Sequence, residues 1–84
     1  MGLVFRRKRN PITFRDALAA AREIGLETLE EMSRPDAAAA IAAVALKARN
    51  TSLDDPSIDW DALIAFIERL LPLILQIIEM FGGL

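Results

Sequence analysis

Apolar positions recur at helical spacing over three stretches of the chain, and the third stretch is apolar around most of its circumference. From Trp60 to Phe81 it reads WDALIAFIERLLPLILQIIEMF, with only Asp61, Glu68, Arg69, Gln76 and Glu79 polar. A helix packed on one neighbour needs an apolar arc of roughly 100°. Here Asp61, Ala65, Glu68, Pro72, Gln76 and Glu79 form one narrow stripe, and Leu, Ile, Phe, Trp and Met occupy well over half of the remaining surface. The pattern therefore predicts a helix over 60–81, about 33 Å long at 1.5 Å per residue, with more apolar face than one neighbour can cover.

Its ends are marked. Asp59 is placed to cap the first turn, and Ile58 and Leu63 stand at the positions of a hydrophobic staple. Gly82 and Gly83 are placed to stop it. Pro72 lies in the interior, where it removes the amide bond to the carbonyl of Glu68 and predicts a bend that wraps the helix around a core.

Two shorter helices precede it. Thr13 followed by Asp16 resembles a capping box. Behind it Phe14, Ala17, Leu18, Ala21, Ile24, Gly25, Thr28, Leu29 and Met32 keep one face, which predicts a helix over 14–32. Gly25 costs about 1 kcal/mol relative to alanine inside a helix and marks either a kink or a close helix contact. Ser33, Pro35 and Asp36 then form a helix start. The alanine-rich run that follows predicts a second helix over 34–49, ended by Asn50. Alanine lets helices approach closely but supplies little apolar area of its own. Residues 50–58, NTSLDDPSI, are turn-formers and read as a loop.

The expected fold is all-α: a basic arm at 1–12 and one helical domain at 13–84, with an antiparallel hairpin of the first two helices against the long third one. A chain of 84 residues buries only about 60–65% of its unfolded surface and gains from disulfides, metals or oligomerisation. The sequence has no cysteine and no histidine, so oligomerisation is the reinforcement left. The mean hydropathy of +0.32 beside 26% charged residues shows how concentrated the apolar content is.

Charge adds an asymmetry that the net value of −2 conceals. Arg6, Arg7, Lys8 and Arg9 hold four of the ten cations. The remaining six face twelve acids, a charge of −6 on the body. Such an arm suits phosphate, from nucleic acid or lipid headgroups, or the acidic surface of a neighbouring copy. Phe5 is its single aromatic neighbour, and no base-reading motif follows. Residues 1–5 are too short for the apolar segment of a secretion signal, and the charge follows them. An intracellular setting, or one inside an assembled particle, is therefore expected.

Candidate chemistry is sparse. Asp54, Asp55, Asp59 and Asp61 cluster, but without the glycine and terminal glutamate of an EF-hand loop. Acids at a helix start explain them better, so no metal and no cofactor are expected. Without His, Cys or Tyr, and with neither a phosphate-cradling glycine loop nor a Gly-x-Ser-x-Gly elbow, no catalytic residues are assigned and the chain reads as non-enzymatic. Residues 63–81 approach the length of a membrane span, but Glu68, Arg69, Gln76 and Glu79 interrupt them. A small membrane-associated protein is thus the alternative reading.

The expectation that results is a structural or interaction subunit, a homo-oligomer or a small component of a larger particle such as a virion or shell. Ile64, Ile67, Leu71, Ile74, Ile78 and Phe81 are assigned to the assembly surface. Trp60, Leu63, Phe66, Leu70, Leu73 and Ile77 are assigned to the intramolecular core, a division in which the two sets are interchangeable by a rotation of the helix. Arg6, Arg7, Lys8 and Arg9 are assigned to an anionic partner.

Overall fold

The computed structural model describes residues 12–53, 56 and 58–81, so the basic cluster, Asp54, Asp55 and the Gly82–Gly83 stop lie outside the described residues. The described chain is all-α, with four helical segments: α1 (Phe14–Ile24), α2 (Leu26–Glu30), α3 (Arg34–Ala48) and α4 (Trp60–Phe81). The first helix expected from the pattern is present as two pieces. The break falls at Gly25, whose φ of +102° and ψ of 139° no other residue type adopts cheaply. A Cβ built on Gly25 meets nothing within 4 Å. The glycine is there for its backbone angle, and the close-contact reading is set aside.

The start signals act as the sequence implies. The Thr13 hydroxyl accepts from the Asp16 amide at 3.2 Å, and the Asp16 carboxylate accepts from the Thr13 amide at 2.9 Å, a reciprocal capping box. Ser33 accepts from the Asp36 amide at 3.3 Å, and Asp59 accepts from the Ala62 amide at 3.2 Å. Ile58 and Leu63, the staple pair, are both buried. At the far end of α3, Asn50 adopts φ +57°. The Thr51 amide then reaches back to the Leu46 carbonyl at 2.9 Å and the Asn50 amide to that of Lys47 at 3.0 Å. That is a Schellman ending with asparagine in the left-handed position.

α3 runs antiparallel to α1, its last residues lying beside the first turn of α1, where Arg49 meets Asp16. α4 packs against both. The α1 and α3 faces are built largely from alanine: Ala17, Ala20 and Ala21 on one side, Ala37, Ala38, Ala42 and Ala45 on the other. Small side chains let the two backbones close up, and the large ones gather where α4 joins them. Ile41, Leu46, Leu63, Ile67 and Ile74 are the largest fully enclosed side chains. Ile12, placed with the arm by the sequence pattern, is buried with this core. The Trp60 ring nitrogen donates to the Leu53 carbonyl at 3.2 Å, tying the loop to the start of α4.

Candidate interaction surface

α4 meets the core along one line. Leu63, Ile67, Leu71, Ile74 and Ile78 are buried, and at 100° per residue they fall within about 80° of arc. The division of this helix expected from the sequence is therefore corrected. Ile67, Leu71, Ile74 and Ile78, assigned there to an assembly surface, are intramolecular core, with Ile67 and Ile74 at 0% exposure. Of the same set, Ile64 is half-buried and Phe81 is exposed. Among the residues assigned to the core, Leu63 belongs there, Trp60, Phe66, Leu70 and Ile77 are half-buried, and Leu73 is 48% exposed. The physical reason is phase. An apolar arc wider than one contact has no single centre, and the polar stripe fixes only what faces away.

The sequence carried a second signal that sets the phase. Leu63 is one end of the staple, so it must face inward; Ile67, Leu71, Ile74 and Ile78 share its face by helical spacing. The polar stripe itself lies where expected: Asp61, Ala65, Pro72, Gln76 and Glu79 are exposed and Glu68 is half-buried. α4 continues through Pro72, which stands on the solvent side.

Beside the buried line runs a second apolar flank. Phe66, Leu70, Leu73, Ile77 and Met80 occupy about the next 80° of arc. Leu73 is 48% exposed and Met80 68%, while Phe81 at the helix end is 50% exposed. α4 is 22 residues long against 15 for α3, an excess of about 10 Å, and the exposed large side chains lie in its C-terminal half. On its opposite flank an open groove of about 380 Å³ is formed by Leu29, Met32, Leu71, Pro72 and Leu75, with Glu30 and Arg34 at the rim.

Polar chemistry stays at the surface. Among the described residues no polar or charged side chain is buried, and no three His, Cys, Asp or Glu side chains converge. Asp59 is occupied as a helix cap and Asp61 is exposed. The Asp16 carboxylate is held below its ordinary value. Its value is lowered first by the Thr13 amide it accepts; partial burial opposes this, and the Thr13 hydroxyl and the Arg49 guanidinium lower it further. Among the described residues no helix is long and apolar enough to cross a membrane. Compared with protein-family models, with characterised proteins and with solved structures, the chain matches none.

Proposed function

We propose that this protein is a non-enzymatic structural subunit that assembles with other protein chains through the exposed apolar flank of α4. The observation that carries the reading is the exposure of Leu73, Met80 and Phe81 on the C-terminal half of one helix. Scattered apolar residues are ordinary on a protein surface, but a contiguous patch marks a contact. Leu70 and Ile77 join them into such a patch. A small chain without disulfides gains stability from such a contact. A component of a larger particle, such as a virion or other shell, is the setting this reading favours. The cluster Arg6, Arg7, Lys8 and Arg9 then reaches an anionic neighbour, either nucleic acid or an acidic protein surface.

Light scattering in plain buffer, without detergent, tests the proposal. A particle mass that rises with concentration above the 9.3 kDa of one chain supports it. A mass fixed at one chain across the accessible range contradicts assembly with copies of itself.

A further inference from the structure

α1 and α3 are fastened by their caps and by broad buried faces, and α2 is not. α1 carries the Thr13–Asp16 box and buries Ala17, Ala20 and Ala21. α3 is capped by Ser33, is joined to α1 through Arg49, and buries a line from Ala37 to Leu46. α2 has only the five residues LETLE, starts at Gly25 with no side-chain cap, and buries Leu29 alone. Leu26 and Met32 beside it are half-buried, and Glu27, Thr28, Glu30 and Glu31 are exposed. A helix so short does not hold itself together in water, because starting a helix costs more than a single turn of hydrogen bonds returns. Its place depends on Leu29 and on packing against α4.

That packing is incompletely filled. The open groove of about 380 Å³ runs between the two elements, with Leu29 and Met32 on one wall and Leu71, Pro72 and Leu75 on the other. Leu29 and Leu71 are nonetheless enclosed, at 2% and 3% exposure.

Two breaks bound the segment. Gly25 stands at φ +102° with open space where a side chain would be. Ser33 is extended, at φ −67° and ψ 161°. The bond that ends α1, from the Gly25 amide to the Ala21 carbonyl, and the bond that begins α3, from the Ala37 amide to the Ser33 carbonyl, lie outside these two turning points. The backbone between them can therefore swing without unwinding either helix.

We infer that residues 25–33 form a strap, hinged at Gly25 and Ser33, that lifts from α4 as a unit while α1, α3 and α4 stay folded. Segments that open below the free energy of global unfolding are those with few buried apolar contacts and exposed backbone bonds, and α2 has both. Lifting uncovers Leu71 and gives α4 a second accessible apolar face, on the other side of its buried line from Leu73 and Met80. The strap stands whether or not Leu73 and Met80 carry an assembly contact.

Amide hydrogen exchange of the natural chain, followed residue by residue at rising low denaturant, tests this. Within the strap the Leu29 amide donates to the Gly25 carbonyl and the Met32 amide to that of Leu29, both at 3.1 Å. Corrected for intrinsic rates, these two should exchange at least about tenfold faster than the amides of Ala21 and Ile41, and with little dependence on denaturant. Protection equal to that of α1 and α3, and falling with theirs, would overturn the strap. A thiol separates lifting from unwinding in place, since the natural sequence has no cysteine. Leu71→Cys should react with a maleimide at least about tenfold faster than Ile41→Cys, which only global unfolding uncovers. Equal reactivity beside fast exchange of the strap amides would mean that α2 unwinds without leaving α4, and would overturn the inference. Should either variant lose helicity by circular dichroism, the exchange of the natural chain decides alone.

Discussion

Arg49 and Asp16 stand 33 positions apart in the chain and meet at 2.6 Å, closing the end of α3 onto the start of α1. The same Asp16 oxygen accepts from the Thr13 amide and hydroxyl. One carboxylate therefore completes a helix cap and joins two helices. Both partners are partly exposed, so the ion pair itself contributes modestly.

The carboxylate's lowered pKa has a direction that can be tested. Asp16 falls below its ordinary 3.8 in the folded chain. A group depressed on folding stabilises the protein above its unfolded value, and that contribution is lost as pH falls through the folded value. Denaturant midpoints of the natural protein and of Asp16→Asn should differ at neutral pH and converge as the pH drops below 3.8. Curves that stay parallel to strongly acid pH would remove this role from Asp16.

Gly25 offers a test whose sign decides. Helix propensity alone makes Gly25→Ala stabilising by about 1 kcal/mol. The observed φ of +102° makes it destabilising instead, by roughly 1–3 kcal/mol for a side chain held in such a conformation. Thermal unfolding of the variant distinguishes the two. A raised midpoint would mean that α1 and α2 are one continuous helix in solution.

The rotation of α4 is tested by two truncations about one and two-thirds turns apart. Ile67 is fully buried and Leu73 half exposed. Ile67→Ala should cost about 2–5 kcal/mol, whereas Leu73→Ala at a concentration where the chain is dispersed should cost about 0.5 kcal/mol or less. Equal costs would contradict the division between core line and flank.

The caps and the length of α4 were open to the sequence because they depend on neighbours a few residues away. Thr13 with Asp16, Ser33, Asp59 and the Ile58–Leu63 staple all act within one turn. The facing of Ile67 and Ile74 was harder, since it depends on where α1 and α3 lie, and both flanks of α4 offered comparable apolar side chains. The staple held that information, because Leu63 could not face out while its own turn was pinned. The break at Gly25 was only half legible. A glycine inside a helical pattern announces a cost, but its positive φ is set by how α1 and α2 meet the rest of the bundle.

The arm makes a separate claim. If Arg6, Arg7, Lys8 and Arg9 contact phosphates, binding to a single-stranded nucleic acid should weaken with salt at a log–log slope of about −3, near −0.7 for each contact. Replacing the four with alanine should flatten that slope to near zero. An unchanged slope would place the contact elsewhere.

The most direct test of assembly through α4 is sedimentation equilibrium of the natural chain and of Leu73→Glu side by side. The substitution sets a charge on an exposed position of the flank and leaves the buried line untouched. From about 10 to 500 µM, the range in which weak association is populated, the natural chain should climb above 9.3 kDa. Leu73→Glu should remain at one chain while keeping its helicity. A natural chain that stays at one mass throughout, or a variant that associates as strongly, would contradict the assignment of this flank.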